Sequence, residues 1–252
     1  MKNLKNLYLD PKKTPEVLNR ELQEYIDNFT KNNELDLFLD WLSNKTGLPK
    51  PHVTRDCKHF LFNNFSKKTN KFSKKFQLRY IFYSLIRYFL FLIWIVFFKK
   101  KNNKKFHNAD LVLEDVHSED EIKRLSLFQN HFNKVFFITS FQPKKIKNFY
   151  LFNKYKNLNF NTSKILKLFG AALVKSLFFS IKLKTNLIDI NFHLLKLNLK
   201  YDCIFQDVNG KYLLQERQYS TGSIKHYLFK KYGGKKYAVL QKNIPQLVGP
   251  GT

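Results

Sequence analysis

Asp115 and His117 are the residues of this chain whose types and spacing best suit chemistry. A carboxylate and an imidazole stand close together at the end of the short apolar run ADLVLEDV (109–116). Either can act as the base that activates a hydroxyl, given hydrogen-bond reach. Open α/β sheets bind ligands beyond the carboxyl ends of their strands, so polar side chains at such ends are the expected substrate contacts. These are Glu114 and Ser118 beside the pair, Gln206 and Asp207 closing YDCIFQDV (201–208), and Gln241 and Lys242 closing KKYAVLQK (235–242). Some of these residues and their neighbours have plainer readings. Ser118 and Glu121 form the S-x-x-E box that caps a helix, and Glu216 with Arg217 reads as a solvated helix pair worth under about 1 kcal/mol. His52, Cys57 and His59 offer one thiol and no fourth ligand at a usual spacing, so no metal site is expected. His107, His131, His193 and His226 read as structural or surface residues. Neither a Walker loop nor G-x-G-x-x-G, H-E-x-x-H or a nucleophile elbow occurs, and no cofactor is expected.

To converge, these side chains need alternating strands and helices. ADLVLEDV suits a buried parallel strand, and Ser118 opens a helix through Ile122, Leu125 and Phe128. KVFFITS (134–140) repeats the buried strand and leads into a basic segment reaching Tyr155. Lys164–Lys184 is helical, with Lys164, Lys167, Ala171, Lys175 and Lys182 tracking one face; it either grazes a membrane or covers the sheet with its lysines outward. A helix over Leu187–Leu199 delivers YDCIFQDV as a third strand, ended by the turn Asn209-Gly210. YLLQERQYSTGSIKHYLFKKYGG (212–234) reads as largely helical, with Ser220 or Thr221 an internal cap and Gly233-Gly234 a left-handed C-cap. Lys235–Gln241 is the fourth strand. The expected class is α/β, a Rossmann-like parallel sheet with flanking helices over residues 106–252.

Two further segments precede it. Residues 1–66 read as a small helical segment: Thr14 caps a helix with Pro15 at N1, Asn33 caps a second, and Gly47 to Pro51 breaks it. Residues 67–105 hold the apolar stretch Phe76–Phe98, flanked by KKTNKFSKK and KKKNNKK. As a helix it reaches about 34 Å, long enough to cross a bilayer. Arg79 and Arg87 interrupt the apolar run, however, and with Tyr83 fall at i, i+4 and i+8 on one side. That pattern favours a helix lying in the membrane interface over one that spans it, with Arg79, Arg87, Trp94, Lys99, Lys100 and Lys101 as membrane contacts. A buried core helix is the alternative.

A formal charge of +26 suggests an anionic partner. Only six of the 45 basic residues are arginine, whereas bidentate reading of phosphates and bases favours arginine, so the lysine excess is a weaker nucleic-acid signal than the total charge suggests. The first 60 residues carry ten basic and nine acidic side chains, so nearly all the excess begins at Leu61, where the apolar helix and its flanks follow, which fits an anionic membrane surface. Just four alanines amid abundant Lys, Asn, Phe and Ile suit an AT-rich coding sequence, which accounts for part of the charge. Two cysteines, Cys57 and Cys203, imply no disulfide framework and a reducing compartment. The N-terminus MKNLKNLYLDPKK lacks the apolar core of a signal peptide.

The basic apolar helix, ADLVLEDV, YDCIFQDV, the helix carrying QERQYS and the strand ending YAVLQKN together resemble the N-terminal half of GT-B-type glycosyltransferases of bacterial surface (capsular) polysaccharide biosynthesis, over roughly residues 70–245. The Gln-His-Gly that often closes this half there is only partly kept, since Lys242-Asn243 follows Gln241. The resemblance implies an acceptor-side domain at the cytoplasmic face of the cell membrane, peripheral or monotopic. It also implies a nucleotide-sugar donor and a glycan acceptor, and a truncated chain inactive without a second, donor-binding domain. Two other classes stay open: a lysine-rich nucleic-acid binder, marked by aromatics interleaved with basic residues on an exposed sheet face, and a membrane-surface scaffold without catalysis.

Overall fold

The computed structural model describes residues 15–67, 78–97, 108–144, 149–151, 160–183, 185–215 and 223–239. The chain forms two compact units that interleave in sequence: a helical one from Met1–Phe97 with Asn161–Asn198, and a sheet-bearing one from Phe98–Phe160 with Leu199–Thr252. A linear division at residues 66 and 105 does not reveal this arrangement.

The helical unit contains α1 (Pro15–Thr30), α2 (Asn33–Thr46), α3 (Lys50–Lys67), α4 (Leu78–Phe97), α6 (Thr162–Leu183) and the first part of α7 (Leu187–Val208). The cap of α2 is Asn32, one residue before the expected Asn33; its side chain accepts from the Glu34 N–H at 2.9 Å. Glu34 and Asp36 favour the positive end of the helix dipole. Leu35, Phe38, Leu39 and Leu42 are buried, each worth about 1.5–3 kcal/mol of apolar burial. Gly47 ends the helix at φ +70, where only glycine is unstrained, and its N–H reaches the Ser43 carbonyl. The break falls at Gly47–Pro49, as expected, but Lys50 and Pro51 already belong to the first turn of α3, where the missing N–H of Pro51 is not needed. The expected cap Thr14 lies outside the described residues.

In α4, Ile81, Ser84, Tyr88 and Ile95 point inward, and the fully buried Tyr88 donates its hydroxyl to the Phe169 carbonyl of α6 at 2.7 Å. One side of the helix is therefore core of its own unit, while Phe82, Phe89, Leu90 and Phe97 on the other side are exposed. Among the described residues no helix is long and apolar enough to cross a membrane.

The sheet-bearing unit holds five parallel strands: β1 (Leu111–Val116), β2 (Val135–Thr139), β3 (Phe149–Leu151), β4 (Tyr212–Gln215) and β5 (Lys236–Val239). Their order is β3-β2-β1-β4-β5. With them lie α5 (Glu119–Leu125), a 3-10 turn (Ser126–Asn130), the rest of α7, and α8 (Ser223–Lys231). Leu111, Leu113 and Leu214 share a core with Val135, Phe137, Ile122 and Leu125. Side chains alternate along a strand, so Val112, Glu114, Leu213 and Gln215 occupy the opposite face.

Two expectations are overturned. Tyr201–Val208 is not a strand but the last turns of α7, in which Leu199, Cys203, Ile204 and Val208 are buried at helical spacing. Asn209 then caps the helix at φ +47, its N–H meeting the Phe205 carbonyl at 2.9 Å. The strand of this region is instead Tyr212–Gln215, where the sequence suggested a helix. Gly233, at φ +88, closes α8 as expected.

Candidate functional site

Strand order reverses on either side of β1, with β2 on one flank and β4 on the other, which makes its carboxyl end the topological switch point of the sheet. Two groups of polar side chains gather there, one buried and one open.

The buried group centres on Glu114, which is fully inaccessible. One carboxylate oxygen accepts from the Lys225 ammonium at 2.7 Å and the other from the Tyr201 hydroxyl. Lys225 and Lys200 are themselves buried, their ammonium groups 5.6 and 4.7 Å from the centroid of the Tyr201 ring. Burial pushes the Glu114 carboxyl up, but the charges of Lys225 and Lys200 and the two hydrogen bonds outweigh it and hold the carboxyl below its ordinary range. Beside it, Gln215 is paired in register with Glu114, and its side-chain oxygen lies 3.0 Å from Nε2 of His226, which places the ring proton there. The His226 ring stacks on Tyr237 with centroids 3.9 Å apart. Glu114 therefore does not line an open crevice; it anchors α7 and α8 to the sheet. His226 likewise has definite partners.

The open group lies at the ends of β1 and β2. His117 is exposed, and its Nδ1 is 2.8 Å from the Ser140 hydroxyl. Its backbone N–H donates to the Glu121 carboxylate at 2.5 Å, while Ser118 accepts from the Glu121 N–H at 3.1 Å. The capping box is thus formed, and it fixes the backbone that carries His117. Ser140 is held in turn by its N–H on the Val116 carbonyl at 3.0 Å. In the tautomer in which Nδ1–H donates to the Ser140 hydroxyl, Nε2 is the ring nitrogen left to take a proton from a ligand.

The other expected residues do not join this group. Gln206 and Asp207 sit on the last turn of α7 and not at a strand end, because that segment is helical. Gln241 and Lys242 lie outside the described residues, as do Lys99, Lys100 and Lys101 and the pair Glu216 and Arg217. The backbone of Asp115 is in β1, and that of Arg79 in α4, but their side chains lie outside the described part. Sequence reasoning missed Lys200, Tyr201, Lys225 and Ser140. A glutamate inside an apolar strand was the available signal, since a buried carboxylate demands a cation.

In the helical unit, Arg87 is exposed and lies 3.6 Å from Asp189. Trp94 is half-buried and stacked on Phe91, with ring centroids 6.1 Å apart. His193 is largely buried against Phe60, with its pKa lowered to about 4 by burial and by His59 and Lys196. Burial, with Asp56 adding to it, pushes the Cys57 thiol up to about 12. Among the described residues no group of three His, Cys, Asp or Glu side chains could hold a metal ion. In the basic cleft along α3, Lys50 is matched by Asp36 and Asp40 and Lys58 by Asp27.

No known protein family, no curated protein and no solved structure matches the chain.

Proposed function

We propose that this chain is the acceptor-side, Rossmann-like domain of a GT-B-type glycosyltransferase of surface polysaccharide synthesis, working at the cytoplasmic face of a membrane. The observation that carries the reading is the all-parallel sheet with His117 and Ser140 meeting at the carboxyl ends of β1 and β2, beside its switch point; ligands of open α/β sheets bind beyond such strand ends. On this reading a glycan hydroxyl approaches Nε2 of His117. As its oxygen bonds to the anomeric carbon of a nucleotide-sugar and the bond to the nucleotide phosphate breaks, the hydroxyl proton passes to Nε2. In this step the Ser140 hydroxyl accepts from Nδ1–H, which leaves Nε2 as the base. Asp115, at the end of the same strand, is the second candidate base. The donor is held by a second, nucleotide-binding domain, so the isolated chain transfers no sugar.

NMR titration of the isolated chain tests the reading. Neutral oligosaccharides are expected to shift the amides of His117, Ser140 and Glu121, and His117→Ala is expected to weaken that binding. Robust transfer from a nucleotide-sugar by this chain alone would show that a complete site is already present. Shifts produced by single-stranded RNA but not by glycans would favour the nucleic-acid class, although the described parts of β1, β2 and β4 are largely buried and offer no exposed aromatic platform.

A further inference from the structure

The side of α4 turned away from its own unit is apolar along its length. Phe82, Phe89, Leu90, Ile93, Val96 and Phe97 are each between 48% and 74% exposed. Contiguous apolar surface of this extent marks a docking face. What stands at its border indicates the occupant. Arg87, on the same helix, has a side chain 63% exposed, and its guanidinium lies 5.8 Å from the centroid of the Phe192 ring. Lys196 of α7 lies over the same ring at 4.9 Å and over Phe91 at 5.4 Å. Two cations thus converge on one aromatic side chain. Asp189 lies 3.6 Å from Arg87 and accepts from Asn186 at 3.4 Å, so one carboxylate stands beside the two cations. The Lys196 ammonium is disfavoured there by burial and by Arg87, a burden that an added anion relieves. Trp94, at i+7 from Arg87, follows along the same edge and suits the headgroup level. A cationic rim beside an apolar stripe matches a phospholipid, whose phosphate stands directly above its hydrocarbon. Lysines at both sequence ends of the helix extend the match to an anionic surface.

We propose that this face of α4 lies in the surface of an anionic lipid bilayer, with the Arg87 guanidinium and the Lys196 ammonium seating one lipid phosphate at the edge of the apolar stripe. The proposal rests on the membrane-surface part of the reading above and does not depend on sugar transfer. Co-sedimentation with vesicles of phosphatidylcholine, with and without phosphatidylglycerol, tests it. The wild-type chain is expected to bind the mixed vesicles more tightly than the neutral ones. Phe89→Ser with Ile93→Ser, both at exposed positions, is expected to abolish binding to either. Arg87→Gln with Lys196→Gln is expected to weaken binding to the mixed vesicles about 10- to 30-fold, on the scale of two basic groups at an anionic surface, and to leave the neutral ones unaffected. Emission of Trp94, read in a Trp41→Phe chain, is expected to shift to the blue with mixed vesicles. Equal binding by the double glutamine variant would overturn the phosphate seat. A wild-type chain that ignores both vesicles, or a dimer that Phe89→Ser with Ile93→Ser dissociates in place of lipid binding, would overturn the docking itself.

Discussion

A carboxylate taken out of water is tolerated only where its charge is met, and Glu114 is met by Lys225 and Tyr201. Lys225→Met is therefore expected to cost about 3–5 kcal/mol in chemical denaturation, because it leaves Glu114 buried without its nearest cation. Combining it with Glu114→Leu is expected to recover much of that loss; a combined variant as unstable as the single one would show that the pair is not what matters. The depressed Glu114 carboxyl adds stability that is complete above the ordinary carboxylate range and lost as pH falls through its folded value. His193 acts in a higher window. Its folded value of about 4 lies below the ordinary imidazole value of 6.5, so the folded state resists protonation between them. Stability is expected to fall by roughly 3 kcal/mol as pH drops through that window, and His193→Phe to flatten this part of the pH profile. At this scale the sequence marked Glu114, His117 and Ser118 as special. It could not show that Glu114 faces inward, since Lys225 stands 111 positions away.

The elements were legible where their signals are contiguous. Apolar runs set β1 and β2, the S-x-x-E box set the start of α5, and Gly233 set the end of α8. YDCIFQDV misled because a short apolar, aromatic-rich run fits a buried helix as well as a buried strand. Only the continuing burial from Leu194 and Leu195 through Leu199 and Ile204 to Val208 separates the two. The three residues of β3, within a basic segment, carried no such pattern. Close packing at element ends is also invisible to periodicity. A Cβ at Gly234 would lie 2.4 Å from the ring of Phe229, which is itself 1% exposed. Gly234→Ala is expected to lower stability by about 1–3 kcal/mol as the ring is displaced. Gly170→Ala, in α6 with nothing within 4 Å of the new methyl, is expected to raise it by up to about 1 kcal/mol. Thermal melts of the two variants in opposite directions would bear out both; two losses would show that α6 needs its glycine.

At the scale of the molecule, residues 106–252 contribute to both units, since Asn161–Asn198 belong to the helical one. Within the helical unit Phe179 of α6 packs on Phe38 of α2 with ring centroids 5.8 Å apart, and Lys182 pairs with Glu34 at 2.5 Å. A fragment beginning at residue 106 is expected to expose this apolar surface and to bind a hydrophobic dye, whereas the full chain is not; a compact fragment that binds no dye would show that α6 does not need α2. Deleting residues 70–105 removes Tyr88 and its bond to Phe169, and is expected to loosen the same unit. Partners so far apart in sequence also mean partners far apart in time. Leu111 of β1 pairs with Tyr212 of β4, so at ribosomal rates of ~5–20 residues per second β1 waits roughly 5–20 s for that neighbour. Through that interval the nascent strand has an unsatisfied edge, the template by which growing chains on one message join each other. Glu114, which at that stage has neither Tyr201 nor Lys225, places a bare charge in the middle of LVLEDV. A ribosome-bound chain halted before residue 199 and carrying Glu114→Leu is expected to self-associate more than its wild-type counterpart. On that outcome, the carboxylate buried in the finished fold also limits aggregation while the fold is being made.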